Sequence, residues 1–98
     1  MSNKNKVLEK IINCDEVLDG DVSYTYRLIS SEGKNHASYR IPLYSVCVDM
    51  TSESGEITSA SIKEAFCDVG QALVFYDKVV RNLATPIDLA YVFEDETR

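Results

Sequence analysis

The stretch that decides the fold is CDVGQALVFYDKVVRNLATPIDLAYVFEDE, residues 67–96, because the spacing of its apolar residues changes to that of a helix. After Cys67, apolar side chains recur at intervals of three and four residues, which is the spacing of one helix face. Asp68 is the predicted N-cap of this first helix. The positions on its predicted apolar face are Val69, Ala72, Leu73, Tyr76, Val79, Val80 and Leu83.

A second helix is predicted to begin at the Thr-Pro pair within the same stretch. Thr85 is the predicted N-cap, since its hydroxyl can accept a hydrogen bond from an unpaired backbone N–H one turn later. Pro86 falls at the first helical position, where its missing N–H and fixed φ suit a helix. Asp88 occupies the place of the acid in a capping box, and Ala84 and Leu89 are spaced as a weak hydrophobic staple. The apolar face predicted for this helix consists of Ile87, Leu89, Val92 and Phe93.

Before residue 67, four strands are predicted around three turn signals. The turns fall at residues 18–22, 31–35 and 52–55, where a glycine lies among small polar residues, as in hairpin loops. Between the first two turns, Val22, Tyr24, Tyr26 and Leu28 alternate with polar residues. This period of two predicts a strand with one buried face and one wet face.

The other three strands are less regular. In residues 38–50 the apolar parity shifts, which predicts a bulge or bend between Pro42 and Ser45, and Pro42 places that part at an edge or at the irregularity. The fourth strand is predicted to end near Phe66. Residues 7–18 fit a short helix face as well as a strand, and the Asp-Gly turn that follows favours the strand. One side of the fourth strand is predicted to carry Thr58, Ala60, Ile62 and Phe66.

This order of elements predicts an α+β fold, a four-stranded antiparallel meander followed by two C-terminal helices packed on one face. The 98 residues are enough for one modest core without disulfides or metals. Residues 7–96 are expected to form a single domain, and residues 1–6 a flexible N-terminal tail.

Composition and charge argue against several classes of function. With 16 acids against 10 bases, the formal net charge of −6 disfavours nucleic-acid binding. There is no apolar run of the ~18 residues that a membrane span requires, and the opening MSNKNK lacks the apolar core of a secretory signal. We therefore expect a soluble cytoplasmic protein without a membrane partner. Cys14, Cys47 and Cys67 are odd in number and widely spaced, which predicts reduced thiols.

Four segments carry a resemblance to a known family: YTYRLI at 24–29, YRI at 39–41, VRNLATPIDL at 80–89 and VFED at 92–95. In this order they resemble an uncharacterised domain-of-unknown-function family of short proteins from anaerobic Gram-positive bacteria. The resemblance covers about residues 9–96. It implies no known activity.

Few residues offer catalytic or metal-binding chemistry. His36 is the only histidine, so a nucleophile and base pair would need it beside one of the three cysteines, and Cys47 lies in a V-C-V run typical of a buried core residue. The acids around Gly20 lack the spacing of a calcium loop and are typical of a tight hairpin turn. We therefore expect no catalytic site, cofactor or metal.

The tyrosines of the central hairpin, Tyr24, Tyr26, Tyr39 and Tyr44, form a candidate interaction surface, although the favoured interpretation of Tyr24 and Tyr26 is that they fill the core under the helices. The leading hypothesis is a non-catalytic protein-interaction or regulatory module. The alternative is a small-molecule-binding protein or minor enzyme with a pocket between the sheet and the helices. Because helices on one side leave either an apolar second face of the sheet or an unpaired edge, the partner is expected to be an unknown protein or a second copy in a two-fold homodimer.

Overall fold

The computed structural model describes residues 9–34 and 40–96, and within them the predicted order of four strands and two helices is confirmed. The strands β1 to β4 pair in sequence order as one antiparallel sheet. The segment that fitted a helix or a strand is a strand, and the predicted tail lies outside the described residues. The bounds are β1 Glu9–Asp19, β2 Val22–Lys34, β3 Arg40–Thr51, β4 Ile57–Phe66, α1 Val69–Arg81 and α2 Pro86–Glu96.

Both helices pack on one face of the sheet, and the core lies between the two layers. The two central strands supply most of the sheet side of this core, because Tyr26 faces Val48 and Leu28 faces Val46 across the β2–β3 ladder. All four of these side chains are fully buried. Tyr24 also lies in the core and stacks on Tyr26, with ring centroids 6.0 Å apart.

Helix α1 presents a different apolar face from the predicted one. The predicted face omitted Phe75, which is fully buried, and it included Val69 and Leu73, which are exposed. The helix is rotated because Phe75 packs on Phe66 from β4 and Phe93 from α2, with ring centroids 5.4 and 5.6 Å away. Three mutually packed rings bury more apolar surface than two aliphatic side chains would. The buried residues of α1 are Ala72, Phe75, Tyr76 and Val79.

One residue of the apolar face predicted for helix α2 is exposed instead of buried. Leu89 is buried as expected, and Val92 and Phe93 pack partly buried against the core, whereas Ile87 is 75% exposed. Pro86 is buried at the helix start. Since neighbouring helical residues lie about 100° apart around the axis, burial of Pro86 turns the next side chain towards solvent.

The bulge predicted in β3 between Pro42 and Ser45 is found in the neighbouring strand β4, opposite Ser45. Strand β3 pairs with β2 without a break. On its other side, Tyr44 pairs with Phe66 and Val46 pairs with Ile62 of β4. Between these two pairs, the three β4 residues 63–65 face the single β3 residue Ser45. The Glu64 N–H donates to the Ser45 Oγ at 2.8 Å. Glu64 has a φ of 51°, a left-handed conformation that bulges use. The parity shift seen in the sequence of β3 is therefore absorbed by β4.

Pro42 pairs with β2 but lies beyond the last β3–β4 pair. At that point β3 has no β4 residue on its other side, so the missing N–H of Pro42 breaks no β3–β4 hydrogen bond. This matches the predicted edge position.

Two tyrosine hydroxyls tie the helical layer to the sheet. The Tyr76 hydroxyl on α1 lies 2.6 Å from Asp15 Oδ2 on β1 and 3.1 Å from the Tyr26 carbonyl oxygen. The Tyr26 hydroxyl donates to the Ala84 carbonyl at 3.0 Å. Burial raises the pKa of Tyr26 to about 12, and burial together with the hydrogen bond to Asp15 raises the pKa of Tyr76 as well. Both phenols are therefore held in their neutral, donating form.

Helix α1 ends in a Schellman motif without a glycine. The Leu83 N–H donates to the Val80 carbonyl and the Ala84 N–H donates to the Val79 carbonyl, each at 3.1 Å. Leu83 carries the left-handed conformation, with a φ of 50°, that glycine usually supplies at this position. The turn delivers Ala84 to the Tyr26 hydroxyl and starts α2 two residues later.

Candidate functional site

The helices leave one side of the sheet uncovered in the described chain, the side that faces away from them. We call it the open face and define it as the odd-numbered residues of β2 and β3, from Ser23 to Ile29 and from Ser45 to Thr51, with their pairing partners on β1 and β4. Directly opposed residues of an antiparallel ladder lie on the same face. The register therefore brings together side chains that are far apart in the sequence.

Exposed aliphatic side chains lie at the ends of the open face. Leu18 on β1 and Ile57 on β4 stand at the two ends of one cross-strand row and are 75% and 64% exposed. Ile11 on β1 is 57% exposed and opposes Ile29 on β2 near the other end of the ladder. These three side chains stand apart from one another, and Val74 and Ile87 on the helices are as open to water, so aliphatic exposure by itself does not single out the open face.

The centre of the open face carries one ion pair. The Arg27 guanidinium on β2 donates to the Asp49 carboxylate on β3, and each side chain is about one-third exposed. The Arg27 Nε is buried and has no hydrogen-bond partner among the described residues. The pair therefore presents one positive and one negative group side by side at the surface, while the Arg27 Nε lies out of reach of solvent.

Two of the three thiols flank that arginine. Cys14 on β1 and Cys47 on β3 both oppose Arg27, so all three lie in one row of the open face. Cys14 is exposed, and Cys47 is partly buried, which raises the pKa of its thiol. The two cysteines are two strand spacings apart, about 9–10 Å, which is too far for a disulfide. Cys67 is exposed and lies outside the open face, between β4 and α1.

A nucleophile and base pair, which the sequence argues against, would need His36 beside a thiol among the described residues. His36 lies outside them, and a raised pKa leaves the Cys47 thiol with little thiolate at neutral pH. Within residues 9–34 and 40–96, no three His, Cys, Asp or Glu side chains are grouped as a metal site requires.

A groove of about 730 Å³ lies on the helical side, where the start of α1 meets the end of α2. Its walls are part apolar, from Phe66 and Val74, and part acidic, from Asp68 and Glu96. Both acids already have partners, because Asp68 caps α1 through the Gln71 N–H and Glu96 pairs with Lys78. The groove therefore offers no free charged group from this set for a small ligand.

The four tyrosines of the candidate interaction surface do not form one surface. Tyr24 and Tyr26 lie in the core, so the interpretation that they fill the space under the helices is the correct one. Tyr44 is partly buried against the same core. Tyr39 lies outside the described residues. The helices need large apolar side chains beneath them, and the even-numbered tyrosines of β2 meet that need.

The Thr-Pro segment forms the start of α2. The Asp88 N–H donates to the Thr85 Oγ1, and the Thr85 N–H donates to an Asp88 carboxylate oxygen, each at 3.2 Å. This is a reciprocal capping box, with Pro86 at the first helical position. Ala84 and Leu89 on either side of it are both buried. These residues position the helical layer and lie away from the open face.

Thr85→Ala is expected to lower the free energy of unfolding by about 1 kcal/mol, because it removes the acceptor of the Asp88 N–H at the helix start. Thr85→Ser keeps that oxygen and is expected to be close to neutral. Urea denaturation of the three proteins checks this. Equal stability of wild type and Thr85→Ala would contradict the capping role.

The sequence predicts part of the open face, because the polar residues that alternate with apolar ones in β2 were expected to face water. The odd-numbered residues of β2 include Thr25 and Arg27, which the alternation pattern placed on the wet side. What the pattern could not give is the register, which sets Asp49 and Cys47 beside Arg27. Register depends on turn geometry and on bulges, here the one in β4 and a second register shift in β1 between Ile11 and Asn13.

Comparison with known proteins gives one result. A family model described as a family of unknown function (DUF6514) matches residues 5–97. Searches of curated proteins and of solved structures give no significant match.

Neither helix in the described part of the chain has the length and apolar character that crossing a membrane requires.

Proposed function

Because the chain belongs to DUF6514, a family of unknown function, we propose its function from the structure of its surface. The protein is a non-catalytic protein-interaction module that binds its partner on the open face. The observation that carries the proposal is the covering of the sheet by helices on one side only. The uncovered side combines exposed aliphatic residues with a central ion pair. Its polar centre and apolar ends fit a partner that offers hydrogen-bonding groups at the centre and apolar contacts around them.

The distribution of charge supports the open face as the binding side. Residues 68–96, which form the helical layer, contain six acids and two bases, a formal charge of −4. The open face contains two acids, Glu16 and Asp49, and one base, Arg27, a formal charge of −1. A partner approaching the open face therefore meets little net charge, whereas the helical side repels other acidic surfaces.

The same features support a role without catalysis. Cys47 has a raised pKa, and the acids beside the helical groove are already paired. We place the module in the bacterial cytoplasm, on the basis of its resemblance to a bacterial family and of its free cysteines, which are typical of reducing compartments.

Capture of the partner from cells of the native host tests the proposal. The bait is the tagged full chain, compared with Leu18→Lys, which adds a charge to the open face at an exposed position. The matched control is Val74→Lys, which adds the same charge to an exposed residue of α1. We expect the wild type and Val74→Lys to retain the same stoichiometric partner and Leu18→Lys to lose about tenfold or more of it.

Two outcomes contradict the proposal. One is equal capture by wild type and Leu18→Lys, which shows that the open face is not the binding side. The other is loss of the partner from Val74→Lys alone, which places binding on the helices. Circular dichroism of each bait separates loss of binding from loss of fold.

A further inference from the structure

We propose that the occupant of the open face is a second copy of this chain, packed sheet against sheet about a two-fold axis. The inference rests on the proposed function, in that both use the open face as the binding side. It adds the identity of the partner and the symmetry of the contact. The product is a four-layer particle with helices outside and two sheets inside.

The shape of a single copy supports this arrangement. The chain measures 48 × 38 × 18 Å, and its radius of gyration is 14.8 Å. A compact domain of this length has a radius of gyration of about 13 Å. The single copy is thus a flat, two-layer slab. Stacking two slabs on their open faces gives a compact particle and removes both uncovered faces from water.

The area of the open face matches what a weak dimer buries. Four strands about 4.8 Å apart, each contributing about seven residues at 3.4 Å per residue, cover about 450 Å². Two such faces bury about 900 Å², which is the size of weak, reversible protein contacts. No additional element of the chain is needed to complete the contact.

The charges of the open face are complementary to themselves. Arg27 and Asp49 are neighbours at its centre, so a two-fold axis between them sets the arginine of each copy against the aspartate of the other. Such an isologous contact repeats the same pair twice. The helical layers, each with a formal charge of −4, lie on opposite outer sides of the particle, where their repulsion is weakest.

Stacking of two aligned sheets also buries the exposed aliphatic residues of the open face. Sheets stack about 10 Å apart with strands within about 30° of each other, and their inner side chains interdigitate. Leu18, Ile57 and Ile11 are then covered by the other copy instead of by water. The small polar residues between them, such as Ser59 and Ser61 on β4, leave room for that interdigitation.

Sedimentation or light scattering of the full chain from about 1 μM to about 1 mM tests the proposal, which expects the mass to rise from one copy of 11.0 kDa towards two. Asp49→Arg places two positive groups at the centre and is expected to weaken the dimer by about tenfold or more. The double variant Arg27→Asp with Asp49→Arg restores the opposite pair and is expected to dimerise like the wild type. A monomeric wild type, or a dimer that Asp49→Arg leaves unchanged, overturns the proposal.

The native thiols give a second measurement that does not depend on any variant folding. Cys14 lies on the open face and Cys67 lies outside it, and both are exposed in the single copy. We expect alkylation of Cys14 by iodoacetamide to slow by about tenfold across the dimerisation range while that of Cys67 stays constant. A dimer in which Cys14 reacts at an unchanged rate overturns the sheet-to-sheet contact. A monomeric chain that still loses a cellular partner through Leu18→Lys refutes the second copy and leaves the proposed function standing.

Discussion

Phe75→Ala is expected to lower the free energy of unfolding by about 3–5 kcal/mol, because truncation of a buried ring leaves a cavity. Phe75 is fully buried and touches rings from both the sheet and α2. The cavity therefore lies at the point where three elements meet. Since a domain of this size has a total stability of about 5–15 kcal/mol, the variant is expected to be close to unfolding at 37 °C. Urea denaturation followed by circular dichroism measures the loss.

The neighbouring residue is the matched control. Val74 is 58% exposed, so Val74→Ala is expected to change the unfolding free energy by less than about 0.5 kcal/mol. All variants are compared at one protein concentration, because self-association raises apparent stability. Equal losses for the two variants would show that the cluster of three rings does not hold the layers together.

Tyr76→Phe is expected to lower the free energy of unfolding by about 1.5–3 kcal/mol, because the lost hydroxyl donates to a carboxylate. The Asp15 oxygen lies 2.6 Å from that hydroxyl, and the ring itself stays in place as phenylalanine. The change thus removes one hydrogen bond between α1 and β1 without making a cavity. Thermal and urea denaturation of both proteins give the difference.

The pH dependence tests whether the Tyr76 phenol is held neutral in the folded state, first by burial and then by its hydrogen bond to Asp15. The folded-state pKa of Tyr76 is raised above its unfolded value of about 10, so its contribution is fully present below pH 10 and falls as the pH rises above it. Phenylalanine does not titrate. The stability gap between wild type and Tyr76→Phe is therefore expected to narrow above pH 10, and a gap that stays constant up to pH 12 would contradict the assignment.

The fold was predictable from the sequence because its elements differ in period. The alternation of β2, the glycine turns and the change of spacing after Cys67 all reflect local chemistry that the chain carries residue by residue. The errors arose where elements meet. The rotation of α1 follows from rings contributed by β4 and α2, and the bulge in β4 accommodates a parity shift that is visible only in β3.

The candidate site was predictable only in part for the same reason. The sequence predicted that one face of the sheet has no helices on it, because four strands are followed by only two helices. The tyrosines of the hairpin were the candidate interaction residues, because their amphipathic rings are typical of interfaces, although the core was the favoured place for Tyr24 and Tyr26. In the structure the parity of β2 directs Tyr24 and Tyr26 to the helices and Arg27 to the open face. The partnership of Arg27 with Asp49 needs the register of a second strand.

The order of elements along the chain also determines how the protein folds. Each strand pairs with its neighbour in the sequence, so the sheet forms from local hairpin contacts, which close quickly. The helical layer comes last, and its hydrogen bonds to the sheet join residues 58 and 61 positions apart. During synthesis the core face of the sheet therefore leaves the ribosome before its cover exists. We expect the hydroxyls of Tyr26 and Tyr76 to find their acceptors only when the helical layer docks, so their loss is expected to speed unfolding far more than it slows folding.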